Sequence, residues 1–192
     1  HQASLEILRR TGVRFFHDGA LELLQKSGGA SLDGNRVRFQ ASLVEWALRQ
    51  LPSRIPLCRR GSDEVIAPLQ EQVVSFGTGS DCPTYLDPRS GQRRPFTCAD
   101  VIDCIHVVDA MPEIQFCMSM GIPQDAGPSL YRTQFALMLE HTTKPIVFVC
   151  NDRADCEAIV AMASAAAGGI ERLRLNPSIL LYSEPSAPLR HT

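Results

Sequence analysis

Apolar positions along the chain change rhythm twice. Through the first fifty residues they recur at helical spacing in short stretches. Leu5 and Leu8 give one face of a first helix that Gly12 can close, and Asp18 stands where an N-cap is needed for a second helix carrying Leu21 and Leu24. Asp33-Gly34-Asn35 supplies turn residues between Ala30-Ser31-Leu32 and Val37-Arg38-Phe39, which predicts a hairpin. Leu43, Ala47, Leu48 and Leu51 then keep the spacing of a third helix until Pro52 stops it. From Ile55 to Thr97 the pattern turns to short extended runs: Ile55 to Cys58, Val65 to Ala67, Val73 to Phe76, Thr84 to Leu86 and Arg93 to Phe96, with Pro88 and Gly91 marking a turn between the last two. Beyond Cys98 strands and helices alternate. Helices are predicted over 98–110, 129–141 and 153–167, and strands over 114–118, 145–150 and 178–182.

Strands that are apolar throughout are buried on both faces, and single helices between them require parallel crossovers. Counting Val73–Phe76 as the first, the strands begin near 73, 114, 145 and 178, giving four β/α units. Four units make a small open sheet or half of a (β/α)8 barrel, whose complete form needs about 250 residues. The expected fold class is therefore α/β: the first half of a (β/α)8 barrel, cut short after its fourth strand and preceded by a small helical and hairpin region. Residues 1–54 form that N-terminal region, and 55–192 hold the four units with a hairpin inserted near 84–97.

Composition narrows the functional classes. With 44% hydrophobic and 21% charged residues the chain reads as a globular protein, not a disordered one. The net charge of -2 comes from 19 basic and 21 acidic residues scattered along the chain, so no basic stripe offers itself to nucleic acid. No apolar run approaches the roughly 20 residues that cross a membrane. The chain opens at His1 inside an amphipathic pattern, without a signal peptide, which reads as a start within a longer protein. Seven cysteines, an odd number and several of them inside apolar runs, fit reduced thiols in the cytoplasm.

Several motifs carry possible chemistry. Phe76-Gly77-Thr78-Gly79-Ser80-Asp81 follows a strand, but it lacks the third glycine of a dinucleotide fingerprint and the Gly-Lys-Ser/Thr of a P-loop. It serves better as a glycine-rich lip, with Asp81 as its polar residue, although a loop-capping carboxylate explains Asp81 equally well. Cys98, Cys104 and His106, and likewise Cys150 and Cys156, lack the close pairing of zinc ligands, so no metal is expected on these thiols. Loops 119–125 and 183–191 follow strands, where α/β sheets and barrels bind ligands. Asn151-Asp152 reads as an ordinary helix N-cap. Phe76 and Tyr182, near strand ends, offer aromatic faces to a cation or simply belong to the core.

Five strings in order, His1-Gln2-Ala3-Ser4-Leu5-Glu6-Ile7-Leu8 with Gly12-Val13, Ser75 to Asp81, Pro123-Gln124-Asp125, Thr143-Lys144-Pro145-Ile146 and Ser186-Ala187-Pro188-Leu189-Arg190-His191, resemble the trimethylamine:corrinoid methyltransferase family, including members acting on quaternary amines. The resemblance runs over the whole chain. It implies a (β/α)8 barrel and transfer of a methyl group from a methylated amine to the Co(I) corrinoid (cobalamin) carried by a cognate partner protein. A homo-oligomer is also expected, because half a barrel exposes two parallel-sheet edges. Some members form a charged amine adduct on a pyrrolysine in the second half of the barrel. By position, Thr78, Asp81, Gln124, Asp125, Glu184 and His191 are expected to line the amine site, with no nucleophile among them. The alternatives are a barrel enzyme with other chemistry and a non-catalytic binding or assembly module.

Overall fold

A computed structural model describes residues 1–70, 72–183 and 189–191, with His191 as backbone only. The chain divides into two units, residues 1–52 with 183–192, and residues 53–182.

The first unit opens with α1 (Gln2–Arg10), which buries Leu5. Gly12 then turns the chain with φ +73°, and a Cβ there would meet the Val37 carbonyl, so a glycine is required at this crossing. A three-residue strand, β1 (Val13–Phe15), leads to α2 (Asp18–Lys26). The N-cap of α2 is His17, not the Asp18 expected from the sequence: His17 Nδ1 accepts from the Ala20 amide at 3.3 Å, and Asp18 sits in the first turn, where its charge suits the helix dipole. Strands β2 (Ala30–Asp33) and β3 (Arg36–Phe39) form the expected hairpin, with Leu32 opposite Val37, and α3 (Ala41–Gln50) ends before Pro52.

The second unit begins with an antiparallel hairpin, β4 (Arg54–Cys58) with β5 (Val65–Gln70). A second hairpin joins β6 (Thr84–Leu86) to β7 (Arg93–Pro95). Its turn is tied by Asp87 Oδ1, which accepts from the amides of Arg89 and Ser90 at 2.8 and 3.3 Å. Then follow α4 (Cys98–Ala110), a 3-10 turn (Gly127–Ser129), α5 (Leu130–His141), β8 (Ile146–Phe148), α6 (Arg153–Ala167), α7 (Ile170–Leu175) and β9 (Ile179–Leu181). Helix α6 starts at Asp152, whose side chain accepts from the Asp155 amide at 2.8 Å, and closes on Gly168 at φ 84°. Helix α4 starts with a capping box between Thr97 and Asp100. After the second unit, β10 (Arg190–His191) pairs in parallel with β1, completing the first unit's sheet in the order β10-β1-β3-β2.

The fold is mixed α/β with sheets of two to four strands, none of them closed. In the second unit the parallel order expected from the sequence is visible as a chain of pairings. Gly77 bridges Phe116, Cys117 bridges Ile146, and β8 pairs with β9 over three residues. Residues 73–76 and 114–118 nevertheless do not form regular strands, because side chains intercept the ladder: Gln115 Oε1 accepts from the Phe76 amide at 2.6 Å, and Thr78 Oγ1 accepts from the Met118 amide at 2.8 Å. On one side of this sheet Cys117, Ile146 and Phe148 pack against Val101, Ile105, Phe135, Met138 and Ile159 of α4, α5 and α6. No helix among the described residues is long and apolar enough to cross a membrane.

Candidate functional site

Parallel segments put all their carboxyl ends on one side. At the opposite, amino-terminal side the β4–β5 hairpin is bonded into place. The Cys58 amide donates to Pro177 O at 2.7 Å and the Arg60 amide to Thr143 O at 2.8 Å, just ahead of β9 and β8. The Arg60 guanidinium adds bonds to the carbonyls of Leu139 and Thr142 at 2.6 and 2.8 Å. The carboxyl ends carry the loops that follow Gly77 and Met118.

There the two loops that follow Gly77 and Met118 are zipped together. Amide-to-carbonyl bonds run from Met120 to Gly79 (2.9 Å), from Cys82 to Met120 (3.3 Å) and from Ile122 to Cys82 (3.0 Å). Thr78 Oγ1 also donates to Met118 O at 2.8 Å, so its hydroxyl holds the two loops in register from both sides. Asp81 and Met120 both adopt positive φ, 71° and 65°, which is uncommon outside glycine and for a long side chain such as Met is held only by its surroundings. Both side chains are exposed. Behind the loops, the buried Gln134 donates to Ser119 Oγ at 2.6 Å and to Gly121 O at 2.8 Å.

The other expected residues are placed as follows. Gln124 is exposed, and its amide group folds back on Ile122 O at 3.1 Å. Asp125 reaches the start of α4, where Oδ1 accepts from the Cys98 amide at 2.8 Å. That bond holds the carboxyl below its ordinary range. Glu184 lies outside the described residues. His191 contributes backbone to β10, opposite Phe15, in the first unit.

Sequence reasoning missed residues that share this end of the second unit. Tyr131, on the first turn of α5, is half-buried, and its hydroxyl is pushed above the usual phenol range by burial and then by the nearby carboxylates of Asp81 and Asp155. Arg132 pairs with Asp155 at 2.6 Å. Helical periodicity gives no hint of either, since both sit one turn from a helix start, where polar residues are ordinary. The aromatic residues noted at strand ends, Phe76 and Tyr182, are 61% and 43% exposed, so neither is core. The thiols behave as apolar side chains: burial raises Cys98, Cys104 and Cys150, and drives Cys117 up to about 12. Among the described residues, no three His, Cys, Asp or Glu side chains gather as a metal site.

Comparison with known proteins identifies the family of the chain. The chain is 29% identical over 195 residues to the trimethylamine methyltransferase MttB of Desulfitobacterium hafniense (strain DSM 10664 / DCB-2), covering 99% of this chain and 38% of that protein. It is 22% identical to a glycine betaine methyltransferase of Desulfitobacterium hafniense (strain Y51), covering 100% of this chain and 40% of that protein. The chain thus spans about two fifths of the length of these relatives. The profile of the family described as trimethylamine methyltransferase (MTTB) matches residues 1–192, so the chain belongs to the MTTB trimethylamine methyltransferase family.

Proposed function

We propose that this chain forms part of a cytoplasmic methyltransferase that moves a methyl group from a tertiary or quaternary methylated amine to the Co(I) corrinoid of a partner protein. Residues 73–182 are read as the first half of its (β/α)8 barrel. The observation that carries the reading is the zipped pair of loops at the carboxyl ends, with Asp81 and Met120 both fixed at positive φ, in a chain whose family relatives act, by name, on trimethylamine and glycine betaine.

The chemistry asks for an ammonium donor, because a neutral amine is a poor leaving group. A quaternary nitrogen carries that charge before reaction. It needs a carboxylate near the charge and apolar or aromatic faces against its methyl groups. Asp81 supplies the first, while Phe76, Met120 and Tyr182, all exposed near the same ends, supply the second. A corrinoid, when docked by its carrier protein, supplies the nucleophile that takes the methyl group. This chain's own work is to bind the cation, orient one N–CH3 bond towards the open face and keep the site's charge negative. Thr78 and Gln134 act by holding the loops, and Asp125 by fixing the 119–125 loop to α4. Gln124 completes the proposed lining. The segment at Gly77 and strand β9 each pair on one side among the described residues, so the reading includes further strands or self-association at those edges.

Asp81→Asn in the enzyme that carries this chain tests the assignment. Removing a charge-assisted partner of the ammonium lowers amine affinity or turnover by about ten- to a hundredfold, with the fold unchanged. Rates of cob(I)alamin methylation by a panel of methylated amines are the readout. Wild-type kinetics with the preferred amine would remove Asp81 from the site.

A further inference from the structure

Away from the carboxyl ends, the packing of α4 on α5 brings two imidazoles together. His106 Nε2 lies 2.9 Å from His141 Nδ1, and the rings meet edge to face with centroids 4.8 Å apart and planes at 77°. His106 is exposed and His141 half-buried, so solvent ions reach the pair. Neither ring has a role in the site described above.

We propose that His106 and His141 form a two-imidazole site for a divalent transition-metal ion of the copper(II) or nickel(II) class, with water filling the remaining positions. Imidazole nitrogens stand about 2.0–2.1 Å from such ions. Two nitrogens about 2.9 Å apart then subtend an angle of about 90° at a shared ion, the cis angle of tetragonal and octahedral coordination. A tetrahedral zinc site would need about 3.3 Å between them. The separation already present therefore matches the cis angle of tetragonal ions, and rotation of each ring away from the shared hydrogen bond, by about 45°, turns both lone pairs towards one ion. In the neutral pair one of the two facing nitrogens carries hydrogen. On binding, that ring's proton transfers through water to its other nitrogen, so both facing nitrogens become ligands with no net proton released.

The surroundings favour a cation. Asp103 and Asp109 stand three residues before and after His106 on α4, on the same side of the helix, and Glu140 adjoins His141. Asp109 is itself fixed, its Oδ1 accepting from Thr142 Oγ1 at 2.5 Å just beyond α5. Lys144, three residues past His141, is tied down: its Nζ donates to the carbonyls of Val108 and Met111 at 2.7 and 2.6 Å. A bound ion would cross-link α4 to the end of α5.

Titrating the chain with Cu(II) and with Ni(II), followed by calorimetry, Tm and Cu(II) electron paramagnetic resonance, tests the proposal. The expected result is one saturable ion per chain, nitrogen coupling from two imidazoles, a raised Tm, and Zn(II) binding more weakly than Cu(II). His106→Ala and His141→Ala each weaken binding about tenfold or more, and His141→Gln repeats the loss with a side chain that still hydrogen-bonds. No saturable binding would overturn the proposal. So would an ion that survives both alanine substitutions, or one that binds zinc more tightly than copper.

Discussion

The two units cover their apolar residues to very different extents. Within residues 53–182, twelve buried residues from Phe96 to Leu173 form one cluster on the helix-facing side of the parallel segments. In the unit of 1–52 and 183–192, the buried large apolar side chains among the described residues are Leu5 and Val37, and neither α2 nor α3 buries any residue. Instead Leu8, Leu24, Phe39, Leu43 and Val44 line an open groove of about 1060 Å³, with Leu23 and Trp46 on its rim at 71% and 54% exposure. A parallel sheet with a helix crossing over each step creates its core locally, because every crossover returns an apolar face to the same side. Three short helices on a small sheet have too little surface to do so. The difference predicts where substitutions hurt.

The largest effect belongs to the first bridge of the parallel series. A Cβ on Gly77 would overlap the Phe116 ring, and Gly121 stands in the same relation to the Phe96 ring. Gly77→Ala must therefore displace an aromatic side chain or part the bridge, and is expected to lower stability by about 3 kcal/mol. Urea unfolding of the variant checks it. A loss under 1 kcal/mol would mean that residues 73–77 are not integral to the second unit's packing.

Next comes the start of α4. Asp100, 4% exposed, receives two bonds from Arg94 at 2.6 and 2.7 Å and two more from the Thr97 amide and hydroxyl at 2.9 and 2.7 Å. The guanidinium, followed by the Thr97 bonds, holds the Asp100 carboxyl at about 2. A carboxyl lowered on folding stabilises above its unfolded value near 4. That contribution fades as pH falls from about 4 through 2. Asp100→Asn is expected to remove about 2 kcal/mol at neutral pH and to flatten stability between pH 4 and 2. An unchanged acid profile would show that the ion pair is not formed in solution.

How much of this was legible in the sequence depends on how each element is specified. Helices α4, α5 and α6 fall within a residue of expectation, because Thr97, Asp152 and Gly168 mark their ends and a continuous apolar face marks their length. The Asn151-Asp152 cap was equally readable. What escaped were elements that their partners define: β1, three residues paired to β3 and β10; β10 itself; and α7, six residues wedged between Gly169 and Asn176. The replacement of ladder bonds by Gln115 and Thr78 was also invisible, since a side chain competing with the backbone leaves no periodic trace. In the candidate site, glycine spacing pointed to the 76–81 loop. The zipping of that loop to 118–122 and the charges around Tyr131 arise only from packing between distant segments.

The smallest expected effect lies in the first unit and probes the contrast from the other side. Leu23 is on α2, 71% exposed above the apolar groove, and substitution by serine removes little covered area. It also leaves the α2 start at His17 and the Gly12 crossing untouched. Leu23→Ser should thus change stability by less than about 0.5 kcal/mol, in the range of ordinary surface substitutions. The measurement is the urea midpoint of the variant against the parent at equal protein concentration, since an unchanged slope confines the effect to stability. A loss above 2 kcal/mol would show that the groove is filled in solution. Dependence of that loss on protein concentration would make the filling agent another copy of the chain, and the poor coverage of the first unit would then belong to the isolated chain alone.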